Sequence, residues 1–98
     1  MHIAFAPFRL REGITGQALL AASDAFERDF VRRQEGIVRR FLVKDARGGF
    51  ADVVFFSDEE AMSRVVEAEQ NSEACFAFSS IMDGHDSHSV FEVIKTYE

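Results

Sequence analysis

Residues Ile37 to Ala61, IVRRFLVKDARGGFADVVFFSDEEA, constrain the fold more than any other part of the chain. Two runs rich in Val, Ile and Phe flank Asp45-Ala46-Arg47-Gly48-Gly49, and extended runs joined across glycines read as a β-hairpin. Ser57-Asp58-Glu59-Glu60 follows directly. It has the Ser-x-x-Glu form of a capping box, whose hydroxyl and carboxylate satisfy N–H groups that a helix start leaves unpaired. A three-residue loop Arg47-Gly48-Gly49 places Phe41 opposite Phe55, Val43 opposite Val53 and Lys44 opposite Asp52, where an ion pair forms. One face of the hairpin then carries Ile37, Arg39, Phe41, Val43, Ala51, Val53 and Phe55. The other carries Val38, Arg40, Leu42, Lys44, Asp52, Val54 and Phe56. Neither face is written for water alone.

The remaining elements follow from periodicity. Residues 1–10, MHIAFAPFRL, read as a strand in which Pro7, lacking an N–H, calls for a bulge or an early end. Thr15 is placed to cap a helix from Gly16 to about Gln34, whose apolar residues Leu19, Ala22, Phe26 and Phe30 recur at three- and four-residue spacing. Gly36 is its natural left-handed terminator. A second helix runs from Asp58 to about Glu69 with Ala61, Met62, Val65 and Val66 inward. Asn71-Ser72 interrupts it and offers a cap for a further helical stripe of Cys75, Phe78, Ile81 and Met82. Asp83 to Ser87 reads as a polar loop and His88 to Tyr97 as the last strand.

The order β-α-β-β-α-β, with right-handed crossovers about a hairpin, predicts a ferredoxin-like split βαβ antiparallel sheet with both helices on one face. It makes one α+β domain over residues 1–98. Strands apolar on both faces belong to sheets covered on both sides, and 98 residues offer no third layer. The expected cover is a second copy of the chain. The face opposite the helices, carrying Val38, Leu42, Val54 and Phe56, packs against its twin in a dimeric α+β barrel.

Charge narrows the partners. Lys and Arg number 11 against 17 Asp and Glu, a net charge of -6, and the arginines are scattered. This excludes nucleic acid and disfavours an anionic membrane surface, both of which need clustered cations. No apolar run approaches the roughly 20 residues of a membrane span, and no basic-then-apolar leader stands at the amino terminus. One cysteine, Cys75, makes no internal disulfide and no Cys-based zinc framework, and the cytoplasm is the expected compartment.

The opening strand into FRLREGIT, the helix end DFVRRQEG, the strand IVRRFLVKD, and GGFADVVFFSDEEA followed by ACFAF carry a resemblance. Over nearly its whole length the chain resembles the small dimeric α+β barrel proteins of the antibiotic-biosynthesis monooxygenase superfamily. The resemblance implies a homodimer with a ligand pocket in each protomer. That superfamily includes cofactor-independent quinone-forming monooxygenases, haem-degrading enzymes and isomerases. Its catalytic members tend to use an Asn with Trp residues, or a haem-ligating His on the second helix. Here Phe50 and Phe56 stand where relatives commonly have Trp, Asn71 lies at a helix break, and the second helix carries no histidine.

Side chains suited to chemistry are few. His88 opens a strand, where an imidazole can project into a pocket as acid, base or hydrogen-bond donor, or serve a structural role. Asp83-Gly84-His85-Asp86-Ser87-His88 gathers metal-ligating types, yet its spacing matches no metal motif and its composition suits a turn, so no metal site is assigned. Cys75 sits among Ala74, Phe76, Ala77 and Phe78 and reads as a packing residue whose thiolate is suppressed. Phe26, Phe30, Phe41, Phe55, Phe76 and Phe78 form either a pocket wall or core. Arg39 is placed to hold an anionic or carbonyl oxygen, or lies at a solvated strand edge.

Two functions fit. One is a cofactor-independent monooxygenase-like enzyme, without metal or prosthetic group, acting on a small aromatic or polyketide-like compound. In it His88 is catalytic, and Arg39, Phe41 and Phe55 bind substrate between helices and sheet. The other is a non-catalytic ligand-binding or dimerisation module whose pocket is filled by phenylalanine. A cavity of roughly 300 Å³ or more with a few converging polar groups favours the first, a closed core the second.

Overall fold

In a computed structural model, which describes residues 1–85 and 88–97, strands β1 (His2–Leu10), β2 (Ile37–Lys44) and β3 (Phe50–Phe56) form most of the sheet. The hairpin between β2 and β3 turns on Ala46-Arg47-Gly48, one position earlier than its composition suggests. The Asp45 N–H donates to the Gly49 carbonyl at 2.8 Å, and Gly48 takes a left-handed φ of +87°. The Asp45 carboxylate accepts from the N–H groups of Arg47 at 2.7 Å and Gly49 at 3.0 Å. This side-chain turn shifts the register by two: Phe41 faces Val53, Val43 faces Ala51 and Lys44 faces Phe50. A shift of two preserves which residues share a face. Phe41 and Phe55 therefore stay neighbours, rings edge to face at 5.8 Å, while the expected Lys44–Asp52 pair is replaced by Arg40–Asp52 at 2.9 Å.

Helix α1 (Gly16–Asp29) starts where expected, with the Thr15 hydroxyl accepting from the Ala18 N–H at 3.0 Å. It stops earlier, giving way to a single 3₁₀ turn over Val31–Arg33. Phe30 leaves helical geometry at the break, with φ −131° and ψ −64°, and it and Val31 are both buried in the core. Helix α2 (Glu59–Glu69) is capped by Asp58, not Ser57: the Asp58 carboxylate accepts from the Ala61 N–H at 2.7 Å. Ser57 instead donates its N–H to the Gly36 carbonyl at 2.8 Å. Ser72 caps α3 (Glu73–Ser79) as its position predicts, accepting from the Cys75 N–H at 3.1 Å.

The last strand begins sooner than its polarity suggests. Met82–His85 form β4 and Ser89–Glu92 form β5, so Asp83 to His85 are paired backbone and not loop. Asp86 and Ser87 lie outside the described residues. Residues 93–97 carry no strand. The sheet order is β2-β3-β1-β4, with β5 also beside β1, all antiparallel. This is the ferredoxin-like α+β arrangement. Pro7 sits within β1 opposite Ala51, and on the other side the β1 ladder breaks between the Phe8–His85 and Phe5–Ser89 pairs, as a residue without an N–H permits.

Helix packing inverts the two expected sheet faces. Phe8, Leu19, Phe26, Phe30, Phe56, Val65, Phe78 and Met82 share one core cluster, and Ile37, Leu42 and Val54 pack against it. Leu42, Val54 and Phe56 thus lie beneath the helices, not opposite them. Ile37 joins them because β2 carries a bulge at Val38, so Ile37 pairs with Phe56 and Arg39 with Phe55. The open face holds Phe5, Phe41, Val43 and Phe91, all 37–54% exposed. The inversion has a physical cause. Arg40 and Asp52 neutralise each other, so the face that carries this pair can be buried while the largely apolar one is left open.

Gly36 ties the hairpin to α2. Its φ is +93°, and a Cβ there would collide with that of Ala61, itself fully buried. Gly36→Ala is expected to destabilise the chain by about 2–4 kcal/mol, lowering the thermal midpoint by roughly 10 °C or more; calorimetry on the two proteins checks this.

Candidate functional site

Between α1, α3 and the sheet lies a cavity of about 160 Å³ lined by Ala6, Pro7, Phe8, Phe26, Asp52, Glu69, Cys75, Phe78, Ser79, Met82 and His88. Its walls are rings. Phe26 and Phe78 stack with centroids 4.8 Å apart, and Phe8 meets Phe78 edge-on at 6.2 Å. A larger concavity of about 640 Å³, between the β1–α1 connection and the hairpin loop, is a polar surface groove with Arg9, Arg11 and Arg47 on its walls. Only the smaller one combines aromatic walls with buried titratable groups.

Asp52 is put there by strand alternation: it shares the helix-facing side of β3 with Val54 and Phe56. Only 9% of it is exposed. Arg40, diagonally across on β2, donates through Nε to Oδ1 at 2.9 Å and to Oδ2 at 3.1 Å. The guanidinium is itself held on every side. Its Nη2 donates to the Ser23 hydroxyl at 3.0 Å, and its Nη1 to the Glu27 carboxylate at 3.3 Å. It also lies 5.1 Å from the centroid of Phe26 and 5.4 Å from that of Phe78, within cation–π range. Burial pushes the Asp52 carboxyl above its ordinary range; the charge and hydrogen bonds of Arg40 oppose this, and Glu27 adds to it. Desolvation wins.

Glu69 enters from the last turn of α2, where the helix dipole presents its negative end and disfavours a carboxylate. Burial raises its proton affinity first; the Asp52 charge raises it further, and a contact from the Cys75 thiol at 3.6 Å lowers it. The same neighbourhood pushes the Cys75 thiol up to about 11, chiefly through burial and then the Glu69 charge. Cys75 is therefore a protonated packing residue near neutral pH, as its apolar sequence context indicates, and not a nucleophile.

The expected site residues do not come together. His88 lines the cavity mouth and is exposed. Phe41 and Phe55 lie on the opposite, open face of the sheet, and Arg39 is exposed beside the Val38 bulge at the β2 edge. The grouping of Arg39, Phe41 and Phe55 with His88 between helices and sheet is corrected accordingly, because the helices cover the other face. Of the phenylalanines considered together, Phe26 and Phe78 line the cavity, Phe30 is buried behind them, and Phe76 is exposed. Asp52, Glu69 and Arg40 were missed. Asp52 alone gave a signal, a lone carboxylate inside the strand FADVVFF, and that signal was spent on Lys44.

No group of three or more His, Cys, Asp and Glu side chains arranged to hold a metal occurs among the described residues. A porphyrin is several times larger than the ring-sized cavity, and neither α2 nor α3 carries a histidine to ligate it; haem does not fit this site.

No protein-family model matches the chain, and no curated protein matches it significantly. Solved structures share its fold. SnoaB from Streptomyces nogalater, a cofactor-independent oxygenase, superposes with a TM-score of 0.69 at 19% identity, over 97% of this chain and 95% of that one. A Nitrosomonas europaea protein described as an antibiotic biosynthesis monooxygenase gives 0.72 at 11%, over 97% and 100%. A variant of MhuD with two manganese protoporphyrin IX molecules bound per active site gives 0.70 at 14%, over 100% and 99%. The chain thus resembles the antibiotic-biosynthesis monooxygenase superfamily in its fold.

Removing Arg40 would leave Asp52 buried without a cation. Arg40→Met is expected to cost about 3–5 kcal/mol, whereas the double variant Arg40→Met/Asp52→Leu recovers most of that; urea unfolding of the two variants checks it. Glu69 binds its proton more tightly folded than unfolded. Its contribution to stability is full below the ordinary carboxylate range and is lost as pH rises through the raised value. Glu69→Gln should therefore flatten the stability profile as pH rises above the ordinary carboxylate range and gain on the natural chain at the upper end. Thermal midpoints across that rise test the sign.

Proposed function

We propose that this chain is a cofactor-independent, monooxygenase-like enzyme that takes one small aromatic ring into the cavity beneath α1 and α3. The observation carrying this reading is the convergence of two carboxyl groups, Asp52 and Glu69, both with raised proton affinity, on an otherwise aromatic and apolar cavity. A carboxyl whose proton affinity burial has raised can take the proton of a ring hydroxyl, and the resulting phenolate is oxidised by dioxygen at a ring carbon, one oxygen atom ending as the quinone carbonyl and the other as water. A cavity of about 150 Å³ holds benzene, so the volume here supports a single ring, or one end ring of a polyketide-like compound. His88 at the mouth is assigned the transfer of protons between site and solvent. The activity of the SnoaB neighbour, a cofactor-independent oxygenase, agrees in kind. The rival reading, a non-catalytic binding or dimerisation module, is favoured by the modest cavity volume.

Titration of the chain with small phenols and quinones is expected to give saturable binding that Ser79→Phe, which fills the cavity, abolishes. Once a turned-over phenol is found, His88→Ala should lower its rate by about 10² to 10⁴ with binding retained. Binding without turnover for any phenol under air would favour the rival module, and no binding at all would remove the site.

The same reading includes a homodimer closed over the open sheet face. Phe5, Phe41, Val43, Phe55 and Phe91 share that face, all but Phe55 exposed, and a clustered exposed apolar patch marks an interaction surface. The partner of a twofold interface is the same patch, and a stable dimer of this type buries more than roughly 2,000 Å². Light scattering at micromolar concentration should give twice the 11.1 kDa chain mass, falling to a single chain in Phe41→Asp. A monomer mass for the natural chain would defeat the dimer. The cytoplasm, where Cys75 stays a free thiol, is the compartment that fits this protein.

A further inference from the structure

We infer that the ring bound in this cavity carries a protonated nitrogen: the site takes a small aryl-alkyl ammonium in preference to a neutral or anionic ring. The inference rests on the proposed cavity as a ligand site and adds to it the charge of the ligand.

The argument begins with the charges already present. Two carboxylates, Asp52 and Glu69, line the cavity, and among the described residues the only basic side chain on its wall is His88, at the exposed mouth. Arg40 stands behind Asp52, but its three nitrogens are already committed to Asp52, Glu27 and Ser23. It compensates Asp52 and leaves nothing for Glu69. The Glu69 carboxylate has one described side-chain contact, the weak Cys75 thiol at 3.6 Å, and it sits at the helix end whose dipole repels it. A partly buried site with one surplus negative charge attracts a cation and disfavours an anion.

The rest of the wall suits the organic part of such a cation. Phe8, Phe26 and Phe78 give the cavity an aromatic wall, whose ring surface packs against the aryl-alkyl part of such a cation. The pairing of aromatic wall with an uncompensated carboxylate separates this cavity from the surface groove near the hairpin, where three arginines face two acids. The upward displacement of the Glu69 carboxyl by burial and by Asp52 is the same imbalance seen from the proton's side: a bound ammonium would relieve it in place of a proton.

The test uses three ligands of one shape and different charge, benzylammonium, benzyl alcohol and benzoate, titrated calorimetrically into the full chain near neutral pH. Benzylammonium should bind at least about tenfold more tightly than benzyl alcohol, and benzoate should not bind. Glu69→Gln should erase the preference for the ammonium over benzyl alcohol. Equal or tighter binding of benzyl alcohol by the natural chain would overturn the inference and leave the ring site standing. Failure of all three to bind would overturn both. The comparison among ligands needs no variant, so a Glu69→Gln chain that folds poorly does not spare the inference.

Discussion

Arg40 and Asp52 lie on neighbouring strands beneath two helices, and neither charge can be buried there without the other. Much of the structure depends on that pair. It decides which sheet face the helices cover, because neutralisation lets a charged face go inward. It braces α1 to the sheet through Ser23 and Glu27. It also fixes a carboxylate against the cavity, under two stacked rings that share the guanidinium. Electrostatics here does the orienting and the phenylalanine cluster supplies the burial.

The same region contains the places where local rules are broken. Glu69 ends a helix where a cation would be favoured, and no basic residue occupies that last turn. Two carboxyl groups face one cavity, and the one arginine nearby is committed to Asp52, Glu27 and Ser23. Such departures lower stability, and chains retain them where a site needs them. The contrast with Cys75 is instructive: it shares the enclosure, yet burial and a neighbouring negative charge keep it protonated and inert.

On the far side of the sheet the constraint is of another kind. A ferredoxin-like sheet with helices on one face leaves its second face to water unless something covers it. Here that face carries aromatic and branched residues with few charges, and its neighbour rings Phe41 and Phe55 already touch. The chain thus has two apolar compartments divided by one sheet, a small one with carboxylates under the helices and a broad one without them.

The order of elements was legible from residue pattern alone, because helical and strand periodicities differ and the caps Thr15 and Ser72 act on backbone within three residues. So was the sharing of a face by Phe41 and Phe55, since parity survives a register shift of two. The hairpin register itself was not, because Asp45 could close the loop one residue earlier than the Gly-Gly pair implied. Nor was the choice of inward face: alternation separates two faces without saying which meets the helices, and the Val38 bulge moved Ile37 from one to the other. Asp83 to His85 read as a loop because they are polar, and Met82 as the end of a helical stripe, yet all four form β4 and pair with β1. The site escaped for the same reason. Asp52 was visible as an oddity within its strand, but Arg40, 12 positions away, and Glu69, on another helix, become its neighbours only when the sheet and helices close around them.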